Sequence, residues 1–96
     1  MEFMENNQSV EIFKALADPA RLEIVRRLAK EPDFIPSCDV VKSCSNLSKL
    51  SQPAMSHHFN KLVDANVLLE NKLGTNKRYE LNFDLLTKVG INPKKL

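Results

Sequence analysis

The apolar rhythm of this chain changes once, at Asn66, and that change limits what the chain can build. Upstream, apolar side chains recur at the spacing of a helix, about 3.6 residues; downstream they alternate, as in a half-buried strand. Helices must therefore precede a hairpin. In QSVEIFKALA, residues 8–17, Val10, Phe13 and Ala17 share a broad apolar helical face with Ile12 and Leu16. Asp18-Pro19 restarts the chain, because an Asp side chain accepts from exposed helix-start N–H groups and Pro suits the first turn. RLEIVRRLAK then repeats Leu22, Val25, Leu28 and Ala29, which leaves Arg21, Arg26, Arg27 and Lys30 for water.

Pro32 and Pro36 bracket a loop, EPDFIP. Ser37 is placed to cap a third helix carrying Val40, Cys44 and Leu47 on one stripe. Ser51 is a plausible N-cap for a fourth, with Pro53 in its first turn. Asn66 tolerates the left-handed conformation that ends a helix. Beyond it, VLLENKL pairs with a strand in which Lys77, Tyr79, Leu81 and Phe83 alternate with Arg78, Glu80 and Asn82. Gly74-Thr75-Asn76 makes the turn. A short helix over 83–89 closes at Gly90, and Pro93 discourages continuation.

At 96 residues, with 43% hydrophobic and 27% charged side chains, the chain reads as one globular domain spanning 1–96. No run of eighteen apolar residues and no basic-then-apolar start is present, so the expectation is a cytoplasmic protein with no membrane partner. The net charge is only +2 but is unevenly spread: residues 1–20 hold one base and four acids, residues 67–96 six bases and three acids. That asymmetry permits a nucleic-acid partner without demanding one.

The stretch SQPAMSHHFNKL, residues 51–62, raises the question of chemistry. Wound as a helix, it gathers Met55, Phe59, Leu62 and Val63 on one side and turns His57 almost opposite, with Pro53, Asn60, Lys61 and Asp64. His58 falls beside the apolar stripe. Adjacent histidines diverge by about 100°, whereas metal ligands on one helix converge at three- or four-residue spacing. No Ser-His-Asp order, phosphate loop or HExxH pattern supports an enzyme, and nothing calls for a cofactor. Gln52, Ser56 and an outward His57 suit the hydrogen-bonding edges of bases in a major groove.

FKALADPARLEIVRRL, LSQPAMSHHFNKLVDANVL and GTNKRYELN, in that order, resemble the ArsR-type winged helix–turn–helix family of bacterial transcriptional regulators. The likeness spans about residues 10–83. It implies a mainly α fold with a two-stranded β-hairpin, and a homodimeric repressor on palindromic double-stranded DNA. By that match Gln52, Ser56 and His57 read base edges beside Pro53, and Lys49 and Lys61 meet phosphates. Lys72, Lys77 and Arg78 form a basic wing, while His58 supports the helix from within. Dimer contacts would come from residues 8–17 and 83–89, through Val10, Phe13, Ala17, Phe83 and Leu86.

Metal sensors of that family use a Cys-x-Cys in the third helix or an Asp/His cluster in a long last helix, and this sequence has neither. Cys38 and Cys44 stand six apart, about 120° around a helix. Cys44 fits a buried thiol. Cys38, at a helix start, is the more reactive candidate, and the two together are the candidate redox residues. The effector is left open. The low net charge also suits a rival reading, a winged-helix module that binds protein instead of DNA.

Overall fold

The computed structural model describes residues 6–96. Glu2 and Glu5, two of the N-terminal acids, lie outside the described residues. Helices α1 (Asn6–Leu16) and α2 (Pro19–Leu28) meet at Asp18. Its carboxylate accepts from the N–H groups of Ala20 at 2.8 Å and Arg21 at 3.1 Å, as expected of an N-cap ahead of Pro19. The buried face of α2 runs along Ala20, Ile24 and Leu28 at four-residue steps, joined by Val25. Leu22, expected in the core, lies off that row and is only half-buried.

Three expectations fail between Pro32 and Leu50. The EPDFIP segment is not all loop: Ile35–Pro36 forms a short strand, β1, whose Ile35 pairs with Tyr79 and Pro36 with Arg78. The sheet thus has three strands instead of two, and Ser37 lies inside the next helix instead of capping it. The expected third helix is also broken, into α3 (Ser37–Ser43) and α4 (Ser45–Ser48), with Cys44 extended between them at φ −118°, ψ 104°. The hydroxyl of Ser43 bonds back to the carbonyls of Asp39 and Val40, at 3.0 and 3.1 Å, a local competitor of helix continuation. Glu23 on α2 then serves the start of α4, accepting from the Asn46 N–H at 2.8 Å and the Ser45 hydroxyl at 3.3 Å. Val40, Cys44 and Leu47 are buried despite the break.

Helix α5 (Gln52–Asp64) starts at Ser51, whose hydroxyl accepts from the Ala54 N–H. It ends in a Schellman motif: Asn66 is left-handed at φ 63°, and Val67 and Asn66 donate to the carbonyls of Leu62 and Val63. Asn82 ties the hairpin base to this end through the carbonyls of Asn66 and Val67. Strands β2 (Leu68–Leu73) and β3 (Asn76–Leu81) pair from Leu68↔Leu81 to Leu73↔Asn76. Gly74, at φ 62°, opens the two-residue turn in the conformation that glycine adopts without cost. Helix α6 (Phe83–Lys88) is capped by Asn82 and closed at Gly90, and a 3₁₀ turn follows at Pro93–Lys95.

One apolar cluster draws on every helix and strand named above. Phe59 and Leu62 anchor α5 in it, and Leu86 is wholly enclosed. Leu86 therefore cannot be an interface side chain; it is core. No helix among the described residues is long and apolar enough to cross a membrane. Replacing Leu62, which is fully buried, by Ala is expected to cost about 2–5 kcal/mol of stability, read as a lower midpoint in urea unfolding.

Candidate nucleic-acid interface

Anchoring α5 by Phe59 and Leu62 leaves two rows of its surface in solvent. Gln52, Ser56 and Asn60 form one row at four-residue steps; Pro53, His57 and Lys61 form the other, and all six are exposed. The two rows face different neighbours. Gln52, Ser56 and Asn60 border a hollow shared with α3 and with Lys77 of β3. Lys61 sits at the opposite flank, beside Glu11, Lys14 and Arg21. Lys49 is exposed at the end of α4, in the turn that precedes α5.

The strand register divides the three basic wing residues. Leu68↔Leu81, Glu70↔Tyr79 and Lys72↔Lys77 share the face that is buried at its base, while Asn71↔Arg78 occupy the other. Lys72 and Lys77 thus stand directly opposite each other on the α5 side, and Arg78 points away with Pro36. Like charges across a strand pair repel. Neither lysine makes an ion pair among the described residues, so an anionic partner would relieve the repulsion.

His58 is turned inward, as its wheel position indicated, and it meets an unexpected partner. Arg21, expected to face water, donates through Nη1 to His58 Nδ1 at 3.2 Å. Its Nε and Nη2 donate to the carbonyls of Ala15 and Lys14, at 2.6 and 3.3 Å, so it also closes the end of α1. Asp18 Oδ1 lies 3.9 Å from the same imidazole nitrogen. Burial alone would raise the Asp18 carboxyl. The Arg21 backbone N–H, the neighbouring His58 and Arg21 side chains, and the Ala20 N–H together outweigh it and hold the pKa below the usual carboxylate value.

Sequence reasoning did not put Asn60 among the site residues, although its spacing from Gln52 and Ser56 was signal enough. Lys42 of α3, which also borders the hollow, carried no such signal, because only tertiary packing brings it there. Cys38 is exposed, with Sγ 3.8 Å from Asp39 Oδ1, and Cys44 is buried; both are free thiols. Burial, then the nearby charge of Glu23, pushes the Cys44 thiol up, away from the reactive thiolate. Among the described residues no three His, Cys, Asp or Glu side chains are grouped to hold a metal ion.

Helices α3 to α5 followed by the β2–β3 hairpin define a winged helix–turn–helix protein, with α5 as its outward second helix. The sequence profile of the bacterial regulatory proteins of the arsR family matches residues 18–68. An arsenical resistance operon repressor of Staphylococcus xylosus is 36% identical over 83 residues, covering 84% of this chain and 72% of that one. The chain belongs to the ArsR family, a family of regulators and not of enzymes. Its fold agrees with a crystal structure of an ArsR family transcriptional regulator at TM-score 0.76 and 23% identity, over 92% of this chain and 84% of the other. It also agrees with the solution structure of a homodimeric winged helix–turn–helix DNA-binding domain from Mycobacterium bovis, at TM-score 0.68 and 17% identity, over 93% of this chain and 82% of that one.

Asp18 has a lowered folded-state pKa, so its contribution is present above the unfolded value, about 3.9, and is lost as pH falls through the folded one. Asp18→Ala is expected to cost about 1 kcal/mol at neutral pH. In thermal melts taken from pH 7 down to strongly acid conditions, the gap between variant and parent should close below the ordinary carboxylate range.

Proposed function

We propose that this chain is a sequence-specific, DNA-binding transcriptional repressor that acts in the cytoplasm as a homodimer on a palindromic operator. One observation carries the reading: α5 is held by buried Phe59 and Leu62 while it offers amide, hydroxyl and imidazole groups outward. Those groups match the donor and acceptor pattern of base edges in a major groove. Gln52, Ser56 and His57 read bases, with Pro53 against the duplex and Asn60 extending the first row. Lys72 and Lys77 take phosphate on the side of α5, and Arg78, Lys49 and Lys61 supply further backbone contacts. The repressor named among the relatives supports the direction of regulation.

Residues 1–96 form the single DNA-binding and dimerising unit in this reading. Val10 and Phe13 of α1 are 47% and 54% exposed, unusual for large apolar side chains, and Ala17 is exposed beside them. With the half-buried Phe83 they form the candidate face for a second copy, which sets two α5 helices about one DNA turn apart. The homodimeric fold neighbour is consistent with that arrangement.

Selection of bound sequences from random duplex DNA tests the reading. A recovered palindrome supports it; retention that ignores sequence and salt would instead favour a module that binds protein. Within the selected site, Gln52→Ala or His57→Ala is expected to relax base preference at one position by about 1–3 kcal/mol. Lys72→Ala or Lys77→Ala should weaken all sequences alike and lower the salt slope of binding by about one.

A further inference from the structure

A hollow of about 300 Å³ lies between α3, α5 and β3, at the lower end of the range for small-molecule sites. Its floor is apolar: Val41 and Met55 are half-buried there, beside the stacked rings of Phe59 and Tyr79. Its charged groups are Lys42 and Lys77, and no carboxylate lines it. Flat apolar walls accept a ring, and two cations with no carboxylate among the lining residues favour a negative group at its edge. Gln52 and Ser56 form one wall.

We propose that this groove binds a small aromatic anion, and that the anion and DNA exclude one another. Exclusion rests on the reading of Gln52 and Ser56 as base readers; the binding site itself does not. A ring lodged against Met55 and Phe59, with its anionic group between Lys42 and Lys77, occupies the edge of α5 that would enter the major groove. It also neutralises a wing lysine that would otherwise meet phosphate. Such a molecule would release the operator without any change in subunit shape.

Met55 is one of three methionines in the chain, so methyl-¹³C-methionine labelling gives a reporter inside the groove, assigned by comparison with Met55→Leu. Phenyl phosphate is the probe, titrated into the full-length protein at constant ionic strength. Benzyl alcohol, a ring without charge, and inorganic phosphate, a charge without ring, are run in parallel. The Met55 methyl should shift saturably with phenyl phosphate and at least about tenfold more weakly with either half-probe, since each keeps only one of the two contacts. Lys42→Ala should weaken the response about threefold, and Val41→Phe should abolish it by filling the space.

A non-saturating shift, or an equal response to inorganic phosphate, overturns the site. Lys42→Ala guards against misfolding of Val41→Phe, because Lys42 is exposed. For the second half, the protein is first loaded with the duplex recovered by selection. Phenyl phosphate should then leave Met55 unmoved until it displaces the DNA. Simultaneous occupancy would overturn exclusion while leaving the site intact, and failure to select any duplex would overturn the proposed function without touching the titration.

Discussion

Tyr79 holds the three working parts of this domain in register. Its ring stacks on Phe59 at 4.5 Å between centroids and 12° between planes, fastening α5 to the sheet. Its backbone pairs with Ile35 of β1 on one side and Glu70 of β2 on the other. Burial, then the charge of Glu70 and a hydrogen bond to it, pushes the phenol up to about 12, so the hydroxyl stays a donor to that carboxylate. One side chain thus gives the helix an apolar seat and the hairpin a polar tie, the combination for which a buried tyrosine is suited.

A second junction works from the other flank. Arg21 closes α1 through the carbonyls of Lys14 and Ala15 and reaches His58 on α5 with its remaining nitrogen. The helix that carries the exposed apolar face of Val10 and Phe13 is therefore connected to the helix that carries Gln52 and His57. Asp18 stands within 3.9 Å of His58 and sets the start of α2, so three helices share one small polar cluster. A fixed arginine fork is well matched to that task, because its donors diverge in one plane.

Much of this architecture was legible in residue order. Asp18 and Ser51 start their helices, and Asn66 and Gly90 end theirs, by chemistry that is local, each where the residue order places it. The alternation after Asn66 fixed the hairpin for the same reason. What could not be read depends on distant partners. The break at Cys44 is stabilised by Glu23, two helices earlier, and β1 exists because Tyr79 and Arg78 offer an edge to Ile35 and Pro36. Arg21 looked like a surface charge until α5 packed beside it, and Leu86 looked like a free apolar face until the core closed over it. The polar row on α5 was visible from periodicity, whereas its companion Lys42 was not.

The opposed ammonium groups of Lys72 and Lys77 give the hairpin a dual response to its ionic atmosphere. Dissolved ions screen their mutual repulsion, so the unliganded hairpin gains stability as electrolyte is added. The same ions weaken any attraction between those lysines and a polyanion. The tip is therefore most strained, and most receptive, in dilute electrolyte, and it stiffens as its pull on an opposite charge fades.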